Sequence, residues 1–382
     1  MTTVTVVFPA LNEEGVVGRT ISQVPIKKIE ELGVKVEILV VDNASDDNTS
    51  GEAKKAGARV VLEEKRGYGN AYQRGFNEAV GDIIVMLDAD GTYPAEEIPQ
   101  FIKPLLEDKA DFVIGSRLKG NIQPGAMPAL HRYIGNPFLT GVLNLLFKAG
   151  ISDSHCGMRA FTKEAFHKMN LKAPGMEFAS EMVIEAARKK LKIVEVPIEY
   201  RARGGGKPKL SSFEDGWRHL RFMMLYSPAK LFTIPGMLLT FLGLLIVFLL
   251  SQGPFSFGSL VFYIHPMIFG NFLVLVGLQI LFLGVFSGVY SAAKGITDPD
   301  RVTRLVMKYS SLERELILGF GLFVLGLLAA SNIVYVWIES GFDNLFELRN
   351  AIAASTVMFV GIQLMFSAIF LSLLLLDKSE DL

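Results

Sequence analysis

An α/β domain on a mainly parallel sheet, followed by an α-helical membrane domain, is the architecture this sequence predicts, on three observations. Short β-branched runs alternate with helical patterns from Thr2 to about Lys209, the signature of βαβ units. Four charge-free apolar runs follow, each reaching the roughly 20 residues that a helix needs to cross a hydrocarbon core about 30 Å thick. The composition agrees, since 382 residues with 50% hydrophobic content and a positive mean hydropathy are too apolar for an ordinary soluble protein.

The expected strands are "VTVVFPA", "VEILVVDN", "RVVLEE", "DIIVML", "DFVIGS" and, later, "KIVEVPIEY". Helices are expected to begin near Glu13, Asp46, Tyr68 and Ala95, completing a domain over residues 1–210. In such sheets ligands bind beyond the carboxyl ends of the strands. That is where the sequence puts Asn12-Glu13-Glu14, Asp42-Asn43 and Asp88-Ala89-Asp90. Residues 211–229 bring Phe213, Trp217, Leu220, Met224 and Leu225 near helical spacing, with Arg218, His219 and Arg221 interspersed. This pattern suits an amphipathic helix lying in the membrane interface, the alternative being a helix packed on the globular domain.

The membrane domain, 230–382, carries its four spans at about 231–250, 266–293, 316–338 and 351–376. Ser251 to His265 has no lysine or arginine, whereas the stretch after the second span carries Lys294, Arg301, Arg304, Lys308 and Arg314. Basic loops stay cytoplasmic. The expectation is a multi-pass plasma-membrane protein with its N-terminal domain, middle loop and C-terminus in the cytoplasm. The start "MTTVTVVFPALNEE" lacks the basic flank and sustained apolar core of a signal peptide, which agrees with that orientation. A single cysteine, Cys156, excludes an intramolecular disulfide, and a net charge of −1 gives no support for nucleic-acid binding.

The stretch "MLDADGTYP" sets Asp88 and Asp90 two residues apart after an apolar run, where a turn at Gly91 lets both converge on one point. Two carboxylates that close repel, and Mg²⁺ commonly uses one or two carboxylates plus substrate phosphates. Alone, the pair fits a solvated turn as well. Asp42 is a second strand-end acid, suited to a base or ribose, and "KRGYGNAYQRGF" opens a helix where backbone N–H groups favour anions. Cations follow: Arg117 closing "DFVIGSR", Arg132 before "YIGNPFLTGVLNLLF", and Arg201, Arg203, Lys207 and Lys209 in "YRARGGGKPKL". Cations beside a metal site and a membrane suggest an acceptor both anionic and lipidic. "DSHCGMRAF" has one cysteine beside one histidine without an orienting partner, which points to packing rather than to a nucleophile or a metal ligand.

The ordered series "VVFPALNEE", "VVDNASDDNT", "RGYGNAYQRGF", "MLDADGTYP", "VIGSR", "DSHCGMRAF", "EFASEM" and "VEVPIEYRARGGGKPKL" resembles family 2 glycosyltransferases. Within them it is most similar to dolichol-phosphate mannose synthases and the related polyprenyl-phosphate glucosyl- and N-acetylglucosaminyltransferases. The resemblance covers residues 1 to about 228 and, because some members carry four C-terminal spans, extends over the chain. It implies a GT-A (nucleotide-diphospho-sugar transferase, Rossmann-like) domain, a nucleotide-sugar donor such as GDP-mannose, UDP-glucose or UDP-N-acetylglucosamine, a Mg²⁺ or Mn²⁺ ion, and a polyprenyl (dolichyl) phosphate acceptor in the bilayer. Carried over motif by motif, Pro9, Leu11, Glu13, Asp42 and Asn70 line the nucleotide pocket, with Asp88. Asp88 and Asp90 hold the cation, Arg117 and Arg132 bind the acceptor phosphate, and Arg203 and Lys209, with Arg201 as fallback, close over the donor diphosphate.

Two departures weaken a mannose assignment: Thr92 stands where mannose synthases have a metal-contacting glutamine, and Pro208-Lys209-Leu210 replaces Ser-Lys-Leu. The reaction implied is inverting transfer to a lipid phosphate. Two alternatives are a sugar-lipid flippase with a nucleotide-sugar-sensing domain and a processive polysaccharide synthase. Spans without ionisable residues argue against the first, and short loops and chain size against the second.

Overall fold

The computed structural model describes residues 2–203, 212–227, 229–294, 299–342 and 347–376. The chain divides into two compact units, Met1–Met223 and Met224–Leu382.

In the first unit the elements run β1 (Thr3–Ala10), α1 (Val17–Ser22), α2 (Ile26–Glu30), β2 (Lys35–Asp42), α3 (Thr49–Lys55), β3 (Arg59–Leu62), α4 (Tyr68–Glu78) and β4 (Ile83–Met86). Then come α5 (Ile98–Leu106), β5 (Phe112–Ile122), α6 (Asn136–Phe147), β6 (Arg159–Thr162), α7 (Lys163–Met169), α8 (Phe178–Arg188), β7 (Ile193–Tyr200) and α9 (Ser212–Leu225). The seven strands form one sheet in the order β3-β2-β1-β4-β6-β5-β7. β6 was not expected. It runs antiparallel between β4 and β5, whereas the other pairings are parallel. Four residues, "RAFT", carry no periodicity to announce a strand; only its neighbours make it one.

All four residues of β4 are buried and β1 is nearly so, which is why both read as unbroken apolar runs: helices cover the two faces of the sheet. α5 buries Ile98, Phe101, Ile102 and Leu105, one face at i, i+3, i+4, i+7. Gly75 of α4 lies against Val7 and Val41, where an added Cβ would meet Val7 at 2.5 Å. Phe76 stands edge-on to Phe161 and Phe166, building an aromatic core between α4 and the sheet. Parallel register sets Ala10 opposite Asp42 and Val7 opposite Met86, so the ends of β1, β2 and β4 open on one edge.

Helices α1 and α3 begin at Val17 and Thr49, later than the expected Glu13 and Asp46. The residues between are used to lace the two loops together. Asn12 N donates to Ser45 Oγ (3.0 Å), Asp46 N to Asn12 Oδ1 (2.8 Å), Glu13 N to Thr49 Oγ1 (2.9 Å) and Glu14 N to Asp47 Oδ2 (3.2 Å). α9 covers most of the stretch where an amphipathic helix was expected. His219 and Met223 are its buried residues among those of Gly216–Met223 and belong to the first unit, while Trp217 is exposed. One face of this helix is therefore packed against protein and another is left open.

The second unit contains α10 (Ile234–Ser251), the hairpin β8 (Phe255–Phe257) and β9 (Leu260–Phe262), α11 (His265–Ala293), α12 (Arg301–Tyr309), α13 (Leu312–Glu339) and α14 (Leu348–Leu376). Among the described residues four helices are long and apolar enough to cross a membrane: Lys230–Ser251, His265–Ala293, Leu312–Glu339 and Leu348–Leu375. The hairpin and α12 were not expected. Glycines bring the spans together in pairs: a Cβ on Gly243 would lie 2.6 Å from Gly270 O, and one on Gly361 2.5 Å from Gly319 O. Polar side chains join α11 to α14, through Thr356 Oγ1 to Asn271 Oδ1 (2.8 Å) and Gln279 Nε2 to Gln363 Oε1 (3.1 Å).

Candidate active site

The open edge of the sheet gathers the strand-end residues. Asp42 is buried and fully engaged: Oδ1 accepts from Ser45 N (2.9 Å) and Oδ2 from Ser50 Oγ. Pro9 and Leu11 lie partly exposed around the end of β1, and Glu13 is buried behind them. Asn70 sits in the first turn of α4, its N–H on Pro174 O at 3.1 Å. Gly67, just before that helix, has φ 149° and a position where a Cβ would fall 2.4 Å from Pro174 O. Only glycine fits so close an approach.

Asp88 and Asp90 face the same opening but are held differently. Asp88 Oδ1 accepts from Tyr68 and Tyr72 hydroxyls, each at 3.2 Å. An edge of its carboxyl stays open, yet protein surrounds it so densely that desolvation, then the charge of Asp90, push its pKa up to about 7. Asp90 is oriented by the turn at Gly91 (φ 76°) and by Thr92, whose N–H (3.1 Å) and hydroxyl (2.7 Å) both donate to Asp90 Oδ1. Thr92, which stands where the resemblance places a glutamine, thus orients the Asp90 carboxylate. Thr92→Val is expected to lower catalytic efficiency about tenfold or more, since a hydrogen bond to a charged group is lost, with Thr92→Ser near wild type. Titrating activity against divalent ion in both variants checks this; equal behaviour would remove the role.

Among the described residues no three histidine, cysteine, aspartate or glutamate side chains converge as a metal cage. The two carboxylates nevertheless fit a divalent ion that arrives with a diphosphate, because such ions take one or two carboxylates and complete their shell with phosphate oxygens and water. Desolvation and then the repulsion from Asp90 raise Asp88, and a cation would offset both.

The two candidate donor-side arginines separate cleanly. Arg203 reaches the site, with Nη2 2.6 Å from Glu13 Oε1 and Nη1 3.7 Å from Asp90 Oδ2. Arg201 turns away to Glu199 (3.0 Å) and Glu96 (3.4 Å), although its backbone N–H bonds Thr92 O. Lys207 and Lys209 lie outside the described residues.

Arg117 and Arg132 also differ. Arg117 is 7% exposed and makes a two-point pair with Asp153, Nε to Oδ2 at 2.7 Å and Nη2 to Oδ1 at 2.8 Å, while its guanidinium lies over the Tyr200 ring. Its charge comes to the site already balanced by a carboxylate. Asp153 is held below the usual carboxylate range: burial pushes it up, but the Arg117 charge together with hydrogen bonds from Arg117 and from the His155 N–H outweighs that. Arg132 lies in one turn of π-helix, His131–Gly135, over the ring of Tyr133. No carboxylate pairs with it among the described residues. Its surroundings are exposed and apolar: Leu130, Tyr133, Ile134 and Phe138.

Sequence reasoning missed how the loop Asp153–Gly157 joins these parts. Gly157 N donates to Tyr93 Oη (2.7 Å), and a Cβ on Gly157 would meet Asp88 Oδ2 at 3.0 Å. Arg159, fully buried, donates to three backbone carbonyls: Cys156 (2.9 Å), Ser154 (2.9 Å) and Ala179 (2.7 Å). An arginine inside "CGMRAF" was the available signal, because a charge so close to an apolar strand must find partners. Cys156 is buried and its thiol is pushed up to about 12 by desolvation, then by Asp153, which makes it a poor nucleophile.

His219 is buried and His155 half-buried but densely surrounded by protein, and both titrate below the ordinary range because desolvation disfavours the charged ring, with His219, Arg117 and Arg159 adding repulsion at His155 and Arg218 and Arg159 at His219. For His219 the folded value is about 4 against 6.5. The unfolded chain therefore binds more protons between those values. Stability present above pH 6.5 is lost as the pH falls towards 4, by on the order of 3 kcal/mol for His219 alone. Thermal unfolding followed from pH 7 to 4 is expected to show this loss, and His219→Phe to reduce it.

Residues 5–169 match the family Glycosyl transferase family 2, and residues 285–375 the Glycosyltransferase family 2 C-terminal transmembrane region. The low-salt glycan biosynthesis hexosyltransferase Agl6 of Haloferax volcanii is 40% identical over 370 residues, 97% of this chain and 88% of that protein. A dolichyl-phosphate hexose transferase of the same organism is 34% identical over 211 residues, 55% of this chain and 88% of that one. A UDP-N-acetylglucosamine–dolichyl-phosphate N-acetylglucosaminyltransferase of Methanococcus voltae is 31% identical over 216 residues, covering 50% and 83%. Among solved structures, glucosyl-3-phosphoglycerate synthase from Mycobacterium tuberculosis is similar over 59% of this chain and 79% of that one, at 25% identity and a TM-score of 0.47. With a relative matched over nearly its full length and both family regions present, the chain belongs to glycosyltransferase family 2, as a membrane enzyme with a GT-A catalytic domain.

Proposed function

We propose that this enzyme transfers a hexose, with inversion, from a nucleotide sugar to a polyprenyl (dolichyl) phosphate at the cytoplasmic face of the plasma membrane. The observation that carries the lipid part is Arg132, a cation without a carboxylate partner among the described residues, set in a row of exposed apolar side chains. A surface of that kind suits a phosphate with a hydrocarbon tail. Two relatives are named for dolichyl phosphate, which supports the same acceptor.

An oxygen of the lipid phosphate attacks the anomeric carbon as the bond from that carbon to the donor diphosphate breaks, and a nucleoside diphosphate leaves. A phosphate monoester carries nearly two negative charges at neutral pH, so the acceptor needs no general base. What the chain supplies is orientation and charge. Asp42, Pro9, Leu11, Glu13 and Asn70 frame the base and ribose; Arg203, at Glu13 and Asp90, is placed to meet the donor phosphates. Arg117 and Arg132 receive the acceptor phosphate, Arg117 steered by Asp153. A Mg²⁺ or Mn²⁺ ion held by Asp88 and Asp90 would supply neutralisation of the leaving diphosphate. The basic stretch Lys294–Arg314 and the uncharged Ser251–His265 support the cytoplasmic placement of the catalytic unit.

Radiolabelled GDP and UDP sugars offered to membranes holding the protein and a polyprenyl phosphate test this. Label from one donor in a mild-acid-labile lipid is expected; label in polymer, or released only as free sugar, would overturn it.

A further inference from the structure

The segment Asp153–Gly157 is a crossing point. At one end Asp153 holds Arg117, and at the other Gly157 closes against Asp88 and Tyr93. Between them, the His155 ring meets the ring of His219 at 4.4 Å, nearly perpendicular (82°). His219 belongs to α9, the helix that precedes the first span in the chain. The pair joins two largely buried polar links: Thr140 Oγ1 to Ser154 Oγ (2.9 Å) and Ser154 Oγ to His155 Nδ1 (3.0 Å) on one side, and, beyond the ring contact, His219 Nδ1 to Ser180 Oγ of α8 (2.8 Å) on the other. His155 Nε2 is buried with no hydrogen-bond partner among the described residues. That ring is thus kept in place by Nδ1 and by packing, and the packing includes His219.

We propose that His219 is a positioning residue: through His155 it seats the Asp153 end of the Asp153–Gly157 loop, and so fixes Arg117 from the pre-span helix. Neither histidine is among the residues assigned above to the donor, the cation or the acceptor. Buried polar links fully formed make one arrangement rigid, and links half-formed let it drift. An arginine displaced by about 1 Å costs transfer on the order of 10²-fold. The consequence for catalysis rests on the acceptor reading of Arg117 given above; the seating of the loop does not.

Cys156 provides an independent readout, being the one cysteine of the chain, buried, and inside the loop. Full-length protein in lipid nanodiscs is treated with a maleimide, assayed for transfer to polyprenyl phosphate, and titrated with uridine and guanosine diphosphate plus Mg²⁺. In His219→Ala the labelling of Cys156 is expected to quicken at least about tenfold, as local opening becomes more frequent, while nucleotide affinity changes less than about twofold. Transfer falls at least about tenfold in kcat or in acceptor KM. His219→Phe, which keeps a ring against His155, recovers most of both. Unchanged labelling in His219→Ala overturns the proposal, as does labelling that rises together with loss of nucleotide binding, since the variant would then have collapsed generally. Faster labelling in a protein whose wild type moves no sugar to lipid phosphate upholds the seating and discards the acceptor reading.

Discussion

Asp90→Ala is expected to lower hexose transfer by about 10²–10³-fold or more, the loss typical of removing one preorganised electrostatic group at a developing charge. The fold has no need of this side chain. Asp90 is partly exposed and its hydrogen bonds are to the adjacent Thr92. Its removal also takes away the charge that, after desolvation, raises Asp88, so the cation-free protein should melt no lower than wild type. Transfer and melting measured on the same preparation check both halves. Transfer that survives the substitution with a chelator present would dismiss the paired-carboxylate site.

The second large effect falls on stability. Asp153→Asn leaves Arg117 as a buried cation without its balancing charge, at a cost of about 3–5 kcal/mol. Both partners are almost fully removed from water, with side-chain exposures of 8% and 0%. Arg117→Met combined with Asp153→Leu is expected to restore much of the stability, because a buried pair can be exchanged for apolar packing, but none of the transfer. Denaturation of the three proteins separates the outcomes: an Asp153→Asn variant as stable as wild type would show that the pair is not dry. A stable double variant that still transfers sugar would show that Arg117 does not serve the acceptor.

The parts of this protein that were legible are those with local physical causes. Strands β1 and β4 announced themselves because a strand covered on both faces must be apolar throughout. The four spans did so because hydrocarbon admits only long uncharged helices. The edge that Asp42, Asp88 and Asp90 share followed from their places just past the strand runs, as parallel strands end together. The short antiparallel β6 did not, since "RAFT" becomes a strand only between β4 and β5. Nor did the inward face of α9, where His219, a polar residue, is buried because Ser180 and His155 wait for it.

The same division holds within the site. Residue types and their order in the chain determined that this is a family 2 glycosyltransferase with two strand-end carboxylates, a set of arginines and a membrane domain, because those properties reside in single residues or short runs. Which arginine faces the carboxylates, which is balanced by Asp153, and what Thr92 does in place of glutamine were decided by tertiary structure. The reason is distance along the chain: Arg203 meets Glu13 across 190 residues and Arg117 meets Asp153 across 36, and the net charge offered to a ligand depends on such pairings.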